Sequence, residues 1–351
     1  SDLRQMTLMS ALAVLGALVL AGVVAHGAWA ARKAKPRRAD LPSADNPRQE
    51  PTMNEAPAAD SSALPDLQDL RIGLPRKASA RLDPLIDSIV PITLDAPVSG
   101  EMALMHLPPS RRAGTKPFLI EALNAETNEW ELPGPGQRYS EFQAGVQMAN
   151  RSGALNEIEF SEFVQKLQGF AESVGGLVDV PEMLEVVKTA RDLDQFASEH
   201  DAQLTVVLRA NAAAWSVGYI QQMAGRRGFV PGVLPGRLVL PAAEEGAPPV
   251  LVLGFDAQAA LAEDPNISSV REVTLSLDVP QTAESAEPFP AWHDAARNLC
   301  ADMDATTVDD RGNPITLHAF AGIGADLSKL YSALEGRDLA AGSPAARRLF
   351  S

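Results

Sequence analysis

An uncharged apolar stretch near the N-terminus constrains this chain more than any other feature. Residues 6–31 read MTLMSALAVLGALVLAGVVAHGAWAA and carry no charge at neutral pH. As a helix they would extend about 39 Å at ~1.5 Å per residue, whereas the hydrocarbon core of a bilayer is roughly 30 Å thick. We therefore predict a single transmembrane helix over residues 6–31, after a short N-terminal segment of residues 1–5.

The charges on either side of this stretch predict its orientation. Only Asp2 and Arg4 precede it, whereas an aromatic residue at its inner end and a dense basic cluster follow. These membrane-flanking residues are Trp29, Arg32, Lys33, Lys35, Arg37 and Arg38. Because basic residues stay on the cytoplasmic side, we expect the N-terminus outside and the rest of the chain in the cytoplasm. A secretory signal cleaved after Ala30 is the alternative, but a signal has an apolar region of only roughly 7–15 residues.

Composition limits the classes of partner. The chain has 351 residues, 46% of them hydrophobic, and a formal net charge of −15. Hydrophobic content at this level is sufficient for folded domains, and the negative charge argues against nucleic acid as a ligand. The single cysteine, Cys300, excludes an intramolecular disulfide and is typical of a reducing compartment.

Residues 32–81 read as a linker, first basic and then rich in Pro and Ala. No aromatic residue lies between Trp29 and Phe118, so this segment has little to bury and cannot offset the entropy of ordering itself. We predict a disordered spacer that lets the cytoplasmic part search near the membrane. The spacing of Leu64, Leu67, Leu70 and Ile72 leaves open a short helical turn or docking motif.

The sequence pattern of residues 82–200 predicts an α+β lobe. Segments 86–94 and 117–130 read as strands, the second with a turn near its middle, and residues 142–148 alternate apolar with polar side chains. Apolar residues then recur at three and four over 160–174, which indicates an amphipathic helix, and a second helix follows over 183–200.

The sequence pattern of residues 201–336 predicts a second α+β lobe, and residues 337–351 follow it as a C-terminal tail. The long alternating strands of this second lobe favour a mostly antiparallel sheet with helices on one face. The predicted strands are 203–210, 237–241, 250–255 and 270–279, and the predicted helices are 216–227, 291–303 and 319–336. The last residues, 345–351, join two arginines to an apolar pair, and we expect a frayed end rather than a docking tail.

Several motifs of this chain resemble the ZipA family, the bacterial membrane anchors of the FtsZ division ring. At the N-terminus the resemblance rests on Asp2-Leu3-Arg4 before the apolar span and on HGAW at its inner end. In the second lobe it rests on Gly228-Phe229, VTLSLDVP over 273–280, VDDR over 308–311 and PIT over 314–316. These segments follow the order of the family and nearly its spacing, and the match covers a little under half of the chain.

The resemblance implies a function as well as a fold. It implies a split β-α-β unit whose open sheet face binds the C-terminal peptide of FtsZ and ties the division ring to the inner membrane. The localisation it implies is single-pass at the division site, with a periplasmic N-terminus and a cytoplasmic C-terminal domain. The partners would be FtsZ and, through residues 6–31, the lipid bilayer, with no nucleic acid and no small-molecule substrate.

The chain departs from the family pattern in three places. Its linker is shorter than in the best-known members, and residues 82–200 have no recognised counterpart. Ser276 stands where the family places an aromatic side chain in the peptide groove. The helices over 160–174 and 289–303 share an F-x-x-aromatic pattern, so we predict that the first lobe is a degenerate copy of the second.

The face of the sheet opposite the helices is the predicted peptide groove. The candidate residues for FtsZ-peptide binding are Thr205, Val207, Arg209, Leu234, Leu251, Leu253, Phe255, Thr274 and Ser276. Among them, Leu251, Leu253 and Phe255 would form an exposed apolar strip, as expected of a peptide site. The alternative places these three side chains in a core with Val252 facing water, because a shift of one residue reverses the face of a strand.

Catalytic and metal-binding patterns are missing from the sequence. The five histidines are isolated, and no Gly-x-Ser-x-Gly or Gly-x-Gly-x-x-Gly motif is present. The segment 309–313 (DDRGN) reads as a turn rather than a calcium loop, and Cys300 as an inert core thiol. We therefore predict a protein that is not an enzyme and has no cofactor or metal.

Two other functions remain open at this point. The chain could be a membrane-anchored interaction protein whose 82–200 lobe binds another division or envelope component. It could also be a periplasmic enzyme or binding protein released after Ala30.

Overall fold

The computed structural model describes residues 82–309, 311–316, 320 and 322–351. The predicted membrane span over 6–31, its basic flank and the linker up to residue 81 lie outside the described residues. Within the ranges that are described, no helix is both long enough and apolar enough to cross a membrane. These ranges form an α+β protein with antiparallel sheets, as the sequence predicts.

The described chain forms two compact units. The first unit comprises residues 82–201 together with 344–351, and the second unit comprises residues 202–343. The boundary between the predicted lobes, after residue 200, therefore lies within one or two residues of the observed one. The second unit is therefore inserted between two segments of the first unit in the sequence.

The first unit contains an antiparallel sheet and two long helices. Its strands are β1 (Asp87–Ser99), β2 (Arg112–Ala113), β3 (Lys116–Asn124), β4 (Trp130–Glu131), β5 (Arg138–Gln147), β6 (Ala149–Asn150), β7 (Gly153–Ala154) and β8 (Gly176–Val178). Its helices before the second unit are α1 (Gly100–His106), α2 (Glu157–Val174) and α3 (Met183–His200). The sheet order is β2-β3-β5-β1-β8, with β4 paired to β3.

Helix α2 packs its aromatic stripe against one face of this sheet. Asn156 caps its first turn through Ile158 N and Glu159 N, and Glu159 completes a capping box. The rings of Phe118 and Phe163 meet edge to face with centroids 5.4 Å apart, and a second such pair joins β5 to the same helix. The predicted helix over 160–174 is confirmed, with its start three residues earlier.

The C-terminal residues form a short helix, α8 (Pro344–Leu349), that belongs to the first unit. Leu349 and Phe350 are buried, and Arg151 N donates to the carbonyl of Ser351 at 3.3 Å. The prediction of a frayed end is therefore wrong. Two apolar side chains leave water on docking, which outweighs the entropy of ordering so short a segment.

The second unit is built around another antiparallel sheet. Its strands are β9 (Gln203–Ala210), β10 (Val230–Pro231), β11 (Arg237–Leu240), β12 (Leu251–Gly254), β13 (Glu272–Asp278) and β14 (Ala305–Val308). Its helices are α4 (Val217–Gly225), α5 (Ala257–Ala260), α6 (Pro288–Met303) and α7 (Ile323–Glu335). The strand order is β10-β11-β12-β13-β9-β14.

One face of this sheet packs on helices and holds the core. Val206, Leu208, Leu275 and Leu277 project to that side with side chains of α4 and α6. Trp292 is fully buried there, and its indole N–H donates to the carbonyl of Leu275 at 3.3 Å. The described elements of this unit thus combine an antiparallel sheet with helices, and the core lies between them.

The two units share one topology. In each, the first strand pairs with the last strand on one side and, on the other, with the main-sheet strand that precedes α2 or α6. Thus β1 corresponds to β9, β5 to β13, β3 to β12 and β8 to β14. Helices α2 and α6 end in left-handed residues, Gly175 (φ 71°) and Asp304 (φ 53°). Counted back from these residues, Phe163 and Trp292 occupy the same position, and both are fully buried. The topology thus supports the predicted degenerate copy.

Candidate functional site

The candidate site is the open face of the second unit's sheet. Along β13 the side chains alternate between buried and half-buried, with Thr274 and Ser276 on the side away from the helices. The antiparallel register places Gly254 opposite Thr274 and Val252 opposite Ser276. These four residues form the floor of a groove of about 820 Å³.

Small side chains leave space above this floor. A Cβ added at Gly254 would meet only the carbonyl oxygen of Thr274, at 3.9 Å, so there is open space above this glycine. The hydroxyl of Ser276 donates to the carbonyl of Val252 at 3.3 Å and lies close to the backbone. The floor can therefore accept apolar side chains from a ligand without moving the strands.

The rim of the groove carries the charges. Residues 235–237 and 255–257 border one side, and Glu272 and Asp278 also line it. Three of the acidic groups are engaged within the protein. Glu272 pairs with Arg209 at 2.7 Å, Asp278 accepts from Gln281 at 3.1 Å, and Asp256 caps α5 through Gln258 N.

Arg237 is the cation of this rim. Its backbone pairs opposite Gly254 in the β11–β12 ladder, and its side chain is exposed. Among the described residues its guanidinium has no ion-pair partner. A floor of small side chains that includes Val252, beside an exposed guanidinium, suits a peptide that carries apolar side chains and a carboxylate.

The predicted apolar strip on β12 faces the wrong way. Leu251 and Leu253 are both fully buried among the core residues, and Val252 lies on the groove side instead. Phe255 follows the end of β12, where it packs partly on the core and also lines the groove. The β12–β13 register explains the correction, because Leu253 pairs with the core residue Leu275.

The other predicted site residues lie on or beside the open face. Thr274 and Ser276 form the groove floor as expected. Thr205 pairs with Ser276 and Val207 with Thr274, so they share the face, although neither lines the groove. Leu234 is exposed in the loop directly before the lining residue Pro235.

The guanidinium of Arg209 is engaged within the protein. Arg209 shares the open face, but its guanidinium pairs with Glu272 and donates to the carbonyl of Gly312 at 3.3 Å. Gly312 has a φ of +84°, and a Cβ there would lie 2.8 Å from the guanidinium. Arg209 therefore holds the turn after β14 against the sheet.

Sequence reasoning missed Gly254 and Arg237, and it placed Val252 on the open face only in the alternative interpretation of this strand. A glycine inside a strand pattern is a signal for close approach by another chain or ligand, and Gly254 could have been found by that rule. Arg237 carried no such signal, because its position on the rim depends on the β11–β12 pairing.

The turn at 309–313 and the cysteine show no sign of chemistry. The carboxylate of Asp309 accepts from Arg311 N, Asn313 N and the Asn313 side chain at 2.8–3.0 Å, and these bonds hold the pKa of Asp309 below its usual value. Burial raises the pKa of the Cys300 thiol to about 11. Within the described ranges, no group of three His, Cys, Asp or Glu side chains could hold a metal ion.

Comparison with known proteins leaves the site to be interpreted on its geometry. No protein-family model and no curated protein matches this chain.

Proposed function

We propose that this chain is a bacterial cell-division adaptor of the ZipA type. The span over residues 6–31 anchors it in the inner membrane, and the second unit binds the C-terminal peptide of FtsZ at the division site. Filaments of FtsZ are thereby tethered to the cytoplasmic face of the membrane, without catalysis. The finer assignment of the second unit to the split β-α-β fold of that family is part of the same proposal.

The observation that carries this proposal is the one-sided sheet of the second unit. Its helix-covered face accounts for the core, and its other face holds a groove over Gly254 and Ser276 with apolar Val252 in the floor. An open sheet face with space for ligand side chains and an apolar residue in its floor is a surface that an extended peptide can occupy. Ser276 replaces the aromatic residue of the family, so the ligand side chain rather than the protein fills this position.

The geometry also suggests how a peptide is held. Each apolar side chain buried on the floor contributes about 1.5–3 kcal/mol, offset by the cost of ordering the peptide. Arg237 pairs with a carboxylate of the ligand at the rim. One copy then binds weakly, and many tails on one filament raise the overall affinity.

A groove-filling substitution tests this proposal. A fluorescently labelled FtsZ C-terminal peptide is titrated with the full chain in detergent, and binding is followed by anisotropy. Gly254→Leu places a side chain in the open space above the floor, and we expect it to weaken binding at least tenfold. Gly225→Leu is the matched control, because Gly225 is exposed on α4 with no atom within 4 Å of an added Cβ.

The possible results separate the function from the site. Wild-type binding that only Gly254→Leu removes supports both. Equal binding by the two variants would retain the function and reject the groove. A wild-type chain that does not bind the peptide would contradict the proposal.

A second candidate function is favoured by the surface of the first unit. Ile158 and Leu184 are exposed, and Ile158 and Met183 line a cavity of about 540 Å³ between the starts of α2 and α3. Exposed apolar residues that share a cavity often mark a protein-binding site. This observation favours a membrane-anchored interaction protein whose first unit binds another division or envelope component. The test is whether Ile158→Asp abolishes recruitment of the chain to the division site.

A further inference from the structure

The sheet of the first unit also has a face that α2 does not cover. Phe118 and Phe142 project toward the helix, so Leu119 and Glu121 of β3 project to the opposite side. Gln143 pairs with Glu121, and Gly145 pairs with Leu119, on that same side. This surface, named here the first-unit face, corresponds in topology to the groove face of the second unit.

The ladders allow the two faces to be compared residue by residue. Gly176, which follows the left-handed end of α2, pairs with Leu94 in β1. Ala305, which follows the left-handed end of α6, pairs with Ala210 in β9. Counted from these two reference points, Gly145 occupies the position of Ser276. By the same register Glu121 occupies the position of Gly254.

The position of Gly145 is already occupied by the protein itself. A Cβ added at Gly145 would overlap the side chain of Leu82, which therefore lies directly on this glycine. The backbone N–H of Leu82 donates to Oε1 of Glu121 at 3.0 Å, and Gln143 donates to Oε2 at 3.0 Å. An apolar side chain and a backbone donor thus bind the first-unit face as a peptide ligand would.

A tight turn fixes Leu82 in place. Ile86 N and Asp87 N both donate to the carbonyl of Asp83, at 3.0 and 2.8 Å, and Asp83 N donates to Oδ2 of Asp87 at 2.9 Å. The chain enters β1 through this turn, and Leu82, just before the turn, lies over the middle of the first-unit face.

The sequence before Leu82 complements this face in charge and length. Residues 71–81 read RIGLPRKASAR, with four basic residues and no acidic one. The acidic residues of the first-unit face are Glu141, which is exposed, and Glu121, which is fully buried. Eleven extended residues span about 36 Å at ~3.3 Å each, which exceeds the roughly 20 Å covered by four neighbouring strands.

We propose that residues 71–81 bind the first-unit face in cis, with Leu82 as the anchoring side chain. The first unit then carries a peptide-type face that its own linker fills, whereas the second unit leaves the corresponding groove open for a ligand in trans. The inference is independent of what that ligand is. It also shortens the free linker, because the spacer then ends near residue 70 instead of residue 81.

Hydrogen–deuterium exchange of the full chain in detergent tests this proposal. We expect the amides of residues 76–81 to exchange at least tenfold more slowly than in the urea-unfolded chain. The triple variant R76E/K77E/R81E reverses three of the four positive charges of residues 71–81, and its amides should return to within about twofold of the unfolded rate. The amides of β5 report that the unit stays folded.

A matched control separates this effect from net charge. The variant R48E/R297E/K329E changes the net charge equally at positions far from residues 71–81 in sequence, and it should leave exchange at 76–81 unchanged. Unfolded-like exchange in the wild type, or protection that survives in R76E/K77E/R81E, would overturn the proposal. Protection that increases with protein concentration would instead indicate a second copy as the occupant and would equally overturn it.

Discussion

The guanidinium of Arg348 donates two hydrogen bonds to the carboxylate of Asp87, which lies 261 residues earlier in the chain, at 2.6 and 2.8 Å. The Asp87 side chain is fully buried, and the carbonyl of Arg348 also accepts from Gln147 at 2.7 Å. This contact joins α8 to the start of β1, so that the last residues of the chain belong to the first unit.

Removal of this guanidinium should destabilise the first unit. Arg348→Ala leaves the buried carboxylate of Asp87 without a charged partner, and loss of one partner of a fully buried pair costs about 3–5 kcal/mol. Because Arg348 is about one-third exposed, we expect roughly 1–3 kcal/mol. Urea unfolding followed by circular dichroism measures the change.

The matched control for Arg348→Ala is an exposed ion pair of the same unit. Arg191 and Glu157 lie 3.1 Å apart but are both well exposed, so Arg191→Ala should change stability by less than about 0.5 kcal/mol. Equal effects of the two substitutions would show that the contact of Arg348 with Asp87 does not hold α8 in place.

Helices with strong local signals were predictable from the sequence. Asn156 and Glu159 form a capping box at the start of α2, and Gly175 ends the helix with a left-handed backbone conformation. The bounds of α3, Met183–His200, agree with the predicted range. Capping residues and a 3.6-residue period are local, so one sequence contains the information needed.

The face assignment of β12 could not be predicted in the same way. The run Val250-Leu251-Val252-Leu253 is apolar throughout, so it has no alternation that shows which side meets the core. The outcome is decided by pairing with β13, more than twenty residues away in sequence, where Leu253 meets Leu275. The docking of α8 depends on a still longer separation.

Alanine substitutions on β12 test the corrected assignment. Leu253 is fully buried in the core, so Leu253→Ala should lower the free energy of unfolding by about 2–5 kcal/mol. Val252 lies half-buried in the groove floor, so Val252→Ala should cost at most about 1 kcal/mol. Urea unfolding followed by tryptophan fluorescence compares them, and the reverse order would restore the original prediction.

Asp302 should make the second unit sensitive to acid. Its carboxylate accepts two hydrogen bonds from Arg227, at 2.8 and 2.9 Å, and these hold the pKa of Asp302 below its ordinary value of 3.8. A lowered folded-state pKa stabilises the fold above the unfolded pKa, and this contribution is lost as pH falls through the folded pKa.

Asp302→Asn provides the corresponding measurement. Because both side chains are partly exposed, we expect the wild type to exceed the variant by about 0.5–1 kcal/mol at pH 5–7. The difference should shrink as the pH falls from 3.8 through the lowered folded-state pKa of Asp302, because both chains then carry a neutral group at this position. A difference that is constant from pH 2 to 7 would mean that packing rather than charge sets the effect.

Cys300 should react slowly with alkylating reagents in the folded chain. Burial on α6 raises the pKa of its thiol from 9.0 to about 11, so the thiolate fraction at pH 8 falls by about a hundredfold. We expect the rate of iodoacetamide labelling, measured by mass spectrometry, to rise about tenfold per pH unit between pH 8 and 10. The urea-unfolded chain is the control and should react at least a hundredfold faster at pH 8. A folded chain labelled at the unfolded rate would show that the thiol is exposed and ionises normally, which would contradict its assignment as an inert thiol on the core side of α6.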